Sequence, residues 1–372
     1  MITCTKCITP ETHDSISFDG DGVCSVCRQV ERKHTEIDWT ERRKMLDGII
    51  EQYRGRGVYD CIVPFSGGKD STFQLYYVVK ELGLKPLVVR YDHWGFRPLT
   101  YKNNSKTFAE LGVDVIQFTS NKKLVKALML EALERTGDFC WYCHTGVYAH
   151  TLQIAVKYDV PLIIWGEASA EYTSNFSFED LRQVDEAHFE QLVSLGVSAD
   201  DMYNRLKGQF DRRDFYAFEY PSKEDLHDKL KVCPISLGNY IKWDTLSNAE
   251  TIAKELGWQG HGCEGIPPQY WYEKIECKHQ GVRDYIRYLR RGYGRTNHLA
   301  SIDIRAGRLS RDEAVQITEQ YDGKRPKGLD YLLKFWNISE DEFNDMVKKH
   351  VVSPWQMPTC PDDAPPYDYD KW

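Results

Sequence analysis

The sequence predicts an α/β protein built around a parallel sheet, with an amino-terminal zinc-knuckle module and a helical carboxyl-terminal region. Three observations favour this architecture: two C-x-x-C pairs near the amino terminus, apolar runs that alternate with helical patterns from residue 58, and a glycine-rich segment after the first run. Alternating strands and helices form parallel sheets that are covered on both faces. We expect a module with its linker helix over 1–54, the main domain over 55–258 and the helical region over 259–372.

The amino-terminal module is predicted from four cysteines in the pattern C-x2-C-x16-C-x2-C, namely Cys4, Cys7, Cys24 and Cys27. Two C-x-x-C knuckles joined by a loop of this size allow four thiolates to surround one zinc ion tetrahedrally. The residues between the knuckles are rich in turns and too few to bury a core, so the metal would hold the module together. Because all four ligand positions are filled, we expect a structural zinc site.

The composition limits the classes of function. The chain has 372 residues and a net charge of −8, so its surface as a whole is not that of a nucleic-acid-binding protein. It lacks a basic, apolar leader and has no apolar stretch near the ~18 residues of a membrane span, so we expect a cytoplasmic protein with no membrane partner. Eleven cysteines in a reducing compartment indicate metal sites or chemistry rather than disulfides.

Apolar runs and helical periodicities predict the elements of the main domain. The expected strands cover residues 60–65, 85–91, 113–118, 161–165 and 232–237. The expected helices cover residues 71–82, 99–111, 121–135, 145–158 and 244–256. Residues 171–228, which are rich in aromatic and acidic side chains, interrupt this alternation and are expected to form a helical insertion.

The glycine-rich segment SGGKDS lies between the first strand and the first helix of the main domain. It consists of Ser66, Gly67, Gly68, Lys69, Asp70 and Ser71. Glycines let the backbone approach an anion, and a helix start supplies unpaired N–H groups. Lys69 adds a cation for phosphate, the serines add hydroxyl donors, and Asp70 could orient the loop or help to hold Mg²⁺. The segment does not fit the G-x-x-x-x-G-K-[ST] loop of kinases and GTPases, so it predicts a different phosphate chemistry.

The SGGKDS segment resembles the PP-loop of the N-type ATP pyrophosphatases, which include GMP, NAD and argininosuccinate synthetases and tRNA-thiolating enzymes. The resemblance implies an adenine-nucleotide α-hydrolase-like fold and cleavage of ATP, with Mg²⁺, into AMP and pyrophosphate. It also implies that the loop holds the pyrophosphate, with Lys69 and Asp70 in catalytic roles. Asp92, at the end of the second strand, resembles a position at which relatives contact the nucleotide.

One interpretation of the acceptor is a tRNA that receives sulfur. Cys140 and Cys143 form a third C-x-x-C pair, and Cys233 follows in VCPISL. This set resembles that of some tRNA thiolases, which combine a double zinc knuckle, a PP-loop and three cysteines that bind an iron–sulfur cluster. The resemblance implies a [4Fe–4S] cluster on Cys140, Cys143 and Cys233, or a second metal with Cys277 or His144. Alternatively, Cys140 and Cys143 only pack near the site.

The distribution of charge favours a smaller acceptor. Residues 278–311 carry nine lysines or arginines against two aspartates, within a chain that is acidic overall. Such a block could be a solvated helix face that balances an acidic body. It could also be a compact anion site, sized for a sugar nucleotide rather than for a long polyanion, because the arginine fork binds phosphate bidentately.

Several stretches together resemble the N-acetyl sugar amidotransferases of bacterial surface-polysaccharide (O-antigen) biosynthesis. They are MITCTKCITPET with GVCSVC, PFSGGKDS, FCWYCHTG, PLIIWGEASAEY, CPISLGNYIKWD and RRGYGRTNHLASIDIRAGRLSRDEA, and they span nearly the whole chain. The resemblance implies that an acetamido group of a nucleotide-linked sugar becomes an acetamidino group. It also implies two partner proteins, a glutaminase and a cyclase-like subunit, which release and channel ammonia.

Under this interpretation the acetamido oxygen attacks the α-phosphate of ATP, and ammonia then displaces AMP. Glu167, at the carboxyl end of the fourth strand, could take a proton from ammonia or bind Mg²⁺, and Glu276 is a second candidate of this kind. Cys140 and Cys143 are expected beside the reacting groups. The insertion at 171–228 could cover the sugar and limit hydrolysis of the adenylate. The chain shows no glutaminase pattern of its own, so the ammonia would come from a partner.

Overall fold

A five-stranded sheet with the order β3-β2-β1-β4-β5 forms the centre of the computed structural model, and every pairing in it is parallel. The structure describes residues 1–168, 170, 177–178, 181, 194–359 and 361–364. The strands are Cys61–Pro64 (β1), Pro86–Asp92 (β2), Asp114–Thr119 (β3), Leu162–Trp165 (β4) and Cys233–Ser236 (β5). The predicted parallel α/β architecture is therefore confirmed, and each strand lies within one residue of its predicted bounds.

Helices surround the sheet and form the carboxyl-terminal region. Those of the first half are Ser25–Thr35 (α1), Trp39–Ile50 (α2), Lys69–Tyr76 (α3), Pro98–Leu111 (α4), Lys122–Thr136 (α5) and Trp141–Tyr158 (α6). Those of the second half are Ala199–Leu206 (α7), Thr245–Leu256 (α8), Gln280–Arg291 (α9), Arg295–Arg305 (α10), Arg311–Tyr321 (α11), Gly328–Trp336 (α12) and Glu340–Lys348 (α13). None of the helices in the described ranges combines the length and apolar character needed to cross a membrane.

The burial of the strands explains their sequences. Every residue of β1 and β2 is buried, as expected for central strands with helices on both faces. The edge strand β3 instead has exposed and half-buried side chains. Helix α3 continues as a π-helical turn over Tyr77–Glu81, and this segment packs into the core through Leu75 and Val78, which are both fully buried.

The predicted linker helix is in fact two helices, because Asp38 interrupts it. The Asp38 side chain accepts hydrogen bonds from the backbone N–H groups of Thr40 and Glu41, which caps the start of α2. The described part of the predicted insertion contains α7, a 3₁₀ helix at Arg212–Phe218 and a π-helical turn at Glu224–Leu230. The rest of that prediction, between residues 169 and 193, lies largely outside the described residues.

The carboxyl-terminal helices share a hydrophobic core with the main domain. Side chains of α5 and α6 pack in one cluster with side chains of α9, α12 and α13, among them Leu128, Trp141, Leu289, Trp336 and Phe343. This packing brings the segment that precedes α9 to the carboxyl edge of the sheet, where it meets the SGGKDS loop.

Candidate active site and metal centre

The candidate active site lies at the carboxyl ends of β1 and β4. These two strands are neighbours, and the strand order reverses its direction between them, which is the switch point where open parallel sheets bind ligands. The loop Ser66–Ser71 follows β1, and Gly166 and Glu167 follow β4. The fold thus brings the predicted loop and the predicted carboxylate to one crevice.

The two serines of the loop determine its shape. The backbone N–H groups of Ser66 and Gly67 donate hydrogen bonds to Ser71 Oγ at 3.2 and 3.1 Å. The N–H of Gly68 donates to Ser66 Oγ at 3.3 Å. The loop therefore closes on its own hydroxyl groups immediately before α3 begins at Lys69.

Side chains from other segments occupy the space beside the two glycines of the loop. Gly67 has a φ of +92°, and a Cβ atom there would lie 2.4 Å from Asn104 Oδ1. A Cβ atom on Gly68 would lie 2.7 Å from Glu276 Oε2. The loop is thus packed between α4, which carries Asn104, and the carboxyl-terminal region, which carries Glu276.

Lys69 is buried between two carboxylates. Its Nζ lies 2.7 Å from Asp70 Oδ2 and 2.7 Å from Glu273 Oε2. Burial alone would lower the pKa of Lys69, but Asp70, Glu273 and Glu167 together raise it well above its ordinary value. Lys69 is therefore a permanent cation. Sequence reasoning missed Glu273, since nothing in the local sequence links it to the loop.

The pKa of Glu273 shifts downward, opposite to that of Lys69. The Glu273 side chain is only 3% exposed. Burial would raise the pKa of Glu273, but the charges of Lys69, Lys274 and Arg295 hold this pKa at about 2. Arg295 Nη1 lies 3.6 Å from Glu273 Oε1. Glu273 is therefore ionised at neutral pH and lies between the loop lysine and the arginine-rich segment.

Helix α4 holds the segment that carries the two glutamates. Arg97, which is 1% exposed, donates from Nη1 to the carbonyl oxygens of Lys274 and Ile275 at 2.8 and 3.1 Å. Thr100 Oγ1 donates to the Ile275 carbonyl at 3.2 Å. These contacts fix the backbone between Glu273 and Glu276, so both carboxylates reach the loop from a rigid support.

Asp92 and Glu167, the other predicted site residues, lie at strand ends. Asp92 ends β2, where its Oδ1 accepts a hydrogen bond from the Trp94 N–H at 2.8 Å and its Oδ2 accepts one from Thr119 Oγ1 at 3.4 Å. Its carboxylate thus caps the turn that follows β2. Glu167 follows β4 and is close enough to Lys69 to raise the pKa of that lysine.

Cys277 is close enough to Cys140 and Cys143 to act on their pKa values, but the three sulfur atoms do not all lie within 4.8 Å of one another. Burial raises the pKa of both Cys140 and Cys143, and the nearby Cys277 raises each of them further. Such cysteines are protonated thiols at neutral pH, so they are poor nucleophiles unless a metal binds them. Asp138 and Arg283 form an ion pair at 2.8 Å beside these cysteines. Asp138 Oδ1 also accepts a hydrogen bond from the Cys140 N–H.

Cys233 lies elsewhere. It begins β5, at the amino edge of the parallel sheet, whereas Cys140 and Cys143 lie at the carboxyl edge with the loop that follows β2. The neighbours of Cys233 are Tyr53 and Tyr240; burial and Cys233 raise the pKa of Tyr53 to about 12. A cluster on Cys140, Cys143 and Cys233 stays a prediction, and this placement disfavours it because the cysteines lie at opposite edges of the sheet.

The four amino-terminal cysteines converge as predicted. Cys4 and Cys27 have their Sγ atoms 4.0 Å apart, and Cys7 and Cys24 have theirs 3.8 Å apart. Tetrahedral zinc with bonds of about 2.3 Å requires sulfur separations of about 3.8 Å. Among the described residues this is the group whose ligand atoms all lie within 4.8 Å of one another. The cluster could therefore hold a metal ion, and its geometry fits zinc.

The cysteine module is attached to the basic block at 278–311. Arg305 Nη1 donates to Cys7 Sγ at 3.7 Å, and Arg311 Nε donates to the Cys7 carbonyl at 3.3 Å. Arg291 pairs with Asp14 at 2.5 Å. Hydrogen bonds from the neighbouring thiols, with Arg305 beside them, hold the pKa of Cys7 far below its ordinary value.

Most arginines of the basic block thus contact the protein itself rather than solvent. Arg283 binds Asp138, Arg295 binds Asp284 and Glu273, and Arg308 binds Asp244 and Asp303. Arg287 is the least compensated of the paired arginines in α9 and α10, because its acidic neighbour, Asp284, lies 3.9 Å away. The anion site of this block stays a prediction, and Arg287 is its best candidate contact.

Comparison with known proteins relates the carboxyl-terminal region to a described family. Residues 265–359 match the model of the family described as LPS biosynthesis protein WbpG-like, C-terminal domain. An uncharacterized protein of Methanocaldococcus jannaschii is 29% identical over 92 residues, which cover 24% of this chain. The chain spans 32% of the length of that relative.

Two solved structures align over larger parts of the chain, at low similarity. The U34-tRNA thiolase NcsA from Methanococcus maripaludis, solved with its [4Fe-4S] cluster, is 13% identical and aligns over 86% of this chain and 87% of its own, with a TM-score of 0.34. The NMN synthetase from Francisella tularensis is 11% identical and aligns over 59% of this chain and 96% of its own, with a TM-score of 0.28.

The matched range contains the features of the carboxyl-terminal region that reach the candidate active site. It includes Glu273, Glu276, Cys277 and the basic block through Arg311. Residues 265–359 thus match the C-terminal domain of WbpG-like LPS biosynthesis proteins, which confirms for this part of the chain the resemblance predicted from its sequence.

Proposed function

We propose that the protein is an ATP-using enzyme of surface-polysaccharide biosynthesis that converts an acetamido group of a nucleotide-linked sugar into an acetamidino group. The observation that carries this proposal is that the SGGKDS loop and the carboxyl-terminal region meet in one site. An SGGKDS loop lies at the switch point of a parallel sheet, and a domain that matches LPS biosynthesis proteins places two carboxylates on that loop.

The loop supports an AMP-forming reaction. Lys69 is a buried, permanent cation at the start of a helix, where backbone N–H groups and the helix dipole also favour an anion. This arrangement would hold the pyrophosphate while the acetamido oxygen attacks the α-phosphate. The products of this step are an O-adenylyl imidate and pyrophosphate. Ammonia then adds to the activated carbon, and AMP leaves as the amidine forms.

The remaining roles follow from position. Asp70 and Glu273 hold Lys69 in place, and Glu167 is the candidate to take a proton from the attacking ammonia because it follows β4 at the same crevice. Mg²⁺, when bound, would neutralise charge on the departing pyrophosphate. Arg287 is the candidate contact for the diphosphate of the sugar nucleotide, since its guanidinium is incompletely paired.

Ammonia and the amino-terminal metal complete the proposal. The ammonia would come from a partner glutaminase through a cyclase-like subunit, since the sequence shows no glutaminase pattern. The metal would be zinc, bound by the four amino-terminal cysteines. It would support the basic block through the contacts of Arg305 and Arg311 with Cys7.

The test is a product analysis with ATP, ammonium and a panel of acetamido-bearing nucleotide sugars. We expect AMP and pyrophosphate in equal amounts, together with a sugar nucleotide whose mass shows NH in place of O. Formation of ADP and phosphate would overturn the assignment of the loop. AMP formation with tRNA as acceptor, and with sulfur in the tRNA product, would overturn the assignment of the acceptor.

The second candidate function is tRNA thiolation, which the buried cysteines favour. Cys140, Cys143 and Cys277 offer three soft ligands near the loop, and an iron–sulfur cluster bound to them would carry the sulfur. Anaerobic reconstitution with iron and sulfide, followed by iron analysis, distinguishes the candidates. We expect no stoichiometric iron for the amidotransferase. Iron that is lost in Cys277→Ala and kept in Cys233→Ala would favour the thiolase.

A further inference from the structure

We propose that Glu276 binds a divalent cation against the Ser66–Ser71 loop, so that the carboxyl-terminal region completes the site for the pyrophosphate end of ATP. This inference rests on the proposed use of ATP. It adds a ligand from the domain that matches LPS biosynthesis proteins, outside the parallel sheet and its own loops.

The position of Glu276 is the first observation. Its carboxylate lies directly on Gly68, because a Cβ atom there would meet Oε2 at 2.7 Å and Cδ at 2.8 Å. Glu276 is half-buried. In the described part of the chain its side chain has neither a salt bridge nor a hydrogen bond, whereas Lys69, the cation of the loop, pairs with Asp70 and Glu273. A carboxylate on a phosphate loop without a protein cation is suited to bind a metal ion.

The charge balance of the loop is the second observation. Lys69 is surrounded by the carboxylates of Asp70, Glu273 and Glu167, and Glu276 adds a fourth beside Gly68. Arg295 contributes to this balance only in part, because it also pairs with Asp284 at 3.3 Å. Lys274 and Arg295, whose charges lower the pKa of Glu273, offset part of this charge, but neither pairs with Glu276. The pyrophosphate end of ATP would therefore meet an unpaired carboxylate at Gly68. A divalent cation between carboxylate and phosphate converts this repulsion into attraction.

An unpartnered amide beside the loop is an independent sign of a ligand. Asn104 is 2% exposed, and neither its Oδ1 nor its Nδ2 has a hydrogen-bond partner. Both atoms point at Gly67, where a Cβ atom would lie 2.4 Å from Oδ1 and 2.9 Å from Nδ2. A buried amide without partners is unfavourable, so such groups indicate a contact that is made with something else. Asp70 Oδ1, in the loop itself, is also buried without a partner.

The support behind Glu276 is rigid enough for a metal ligand. Arg97, which precedes α4, and Thr100 of α4 donate hydrogen bonds to the carbonyl of Ile275, the residue before Glu276. On its other side, the N–H of Lys278 donates to the Gly95 carbonyl at 2.8 Å. The Glu276 side chain is therefore held on a fixed backbone rather than on a free loop, as a ligand position requires.

The proposal predicts effects of opposite sign for the variant Glu276→Gln. Without metal, the variant should bind pyrophosphate more tightly than the wild type, because a negative charge next to the loop is removed. With metal, it should bind Mn²⁺ in the presence of pyrophosphate about 10- to 100-fold more weakly, because a ligand is lost. A simple electrostatic obstacle or a purely structural residue would not give this reversal.

The experiment measures pyrophosphate binding by calorimetry in EDTA and Mn²⁺ binding by electron paramagnetic resonance with pyrophosphate present. Glu250→Gln, an exposed glutamate on α8, is the matched control and should behave as the wild type. Glu276→Asp keeps the charge and should retain part of the Mn²⁺ affinity. Circular dichroism verifies that each variant is folded.

Each outcome has one meaning. Unchanged Mn²⁺ affinity in Glu276→Gln would overturn the inference, and so would tighter pyrophosphate binding both with and without metal. If the wild type binds neither ATP nor pyrophosphate under any condition, the proposed function itself is wrong. These two failures are distinguishable, because the first requires binding by the wild type and the second excludes it.

Discussion

Replacing Glu273 by glutamine removes the carboxylate that pairs with Lys69 and leaves the size of the side chain almost unchanged. Lys69 keeps its contact with Asp70 at 2.7 Å, so the variant tests the second carboxylate alone. Both partners of the deleted pair are buried, with side-chain exposures of 6% for Lys69 and 3% for Glu273. The loss is therefore little screened by solvent.

The magnitude follows from the pKa of Glu273, which falls from its ordinary value of 4.5 to about 2 in the folded protein. This difference corresponds to about 3 kcal/mol of folding free energy. Since the pKa is lower in the folded state, the contribution is fully present above pH 4.5 and is lost as the pH falls toward 2. At pH 3 somewhat less than half of this contribution should remain. Removing one partner of a buried ion pair generally lowers the folding stability by about 3–5 kcal/mol. The value worked out for Glu273 at neutral pH lies at the lower end of this range.

The assay is urea unfolding of the wild type, Glu273→Gln and the control Glu250→Gln at pH 7 and at the lowest pH where all three are folded. We expect Glu273→Gln to be about 3 kcal/mol less stable at pH 7, with a smaller difference in acid. A loss below about 1 kcal/mol at pH 7 would refute the reasoning, because solvent would then screen the pair. A difference that does not narrow in acid would also refute it, since titration of Glu273 would not be its source.

Three further predictions concern the metal and the loop. Cys24→Ser should abolish stoichiometric zinc, measured by mass spectrometry of metals, and should lower the Tm; retention of zinc would show that the ion binds elsewhere. Gly68→Ala should weaken pyrophosphate binding in calorimetry with Mn²⁺ present, because its Cβ would displace Glu276 from the cation, and unchanged affinity would contradict this close contact. Arg97→Met should lower the Tm and weaken pyrophosphate binding together, because it releases the Ile275 carbonyl; a variant with a lower Tm and normal binding would show that the anchor serves stability alone.

The parts of the site that could be predicted are local in sequence. The loop Ser66–Ser71 lies between a strand and a helix whose periodicities are evident, and a C-x-x-C pair is recognisable from its spacing alone. The strands could be predicted because central strands of a parallel sheet are apolar throughout, as in β1 and β2. The position of Glu167 could also be predicted, although it is distant from the loop in sequence, because the carboxyl ends of parallel strands meet at one edge of the sheet.

The parts that could not be predicted depend on contacts between distant segments. Helix α4 carries a polar face that includes Thr100, Asn103 and Asn104, which periodicity alone would place toward solvent. That face is buried because it contacts the segment before α9, as in the Asn103 Nδ2 hydrogen bond to the Gln259 carbonyl at 2.7 Å. The role of Glu273 follows from this packing and has no local signal. The proximity of Cys277 to Cys140 and Cys143 likewise depends on where the carboxyl-terminal region packs.

The most direct test of the proposed chemistry follows one oxygen atom. A nucleotide sugar labelled with ¹⁸O in its acetamido group is incubated with the protein, ATP and ammonium, and the released AMP is weighed by mass spectrometry. The account predicts AMP that carries the label, because the acetamido oxygen attacks the α-phosphate and leaves with AMP. Unlabelled AMP, or ADP in its place, would contradict the account.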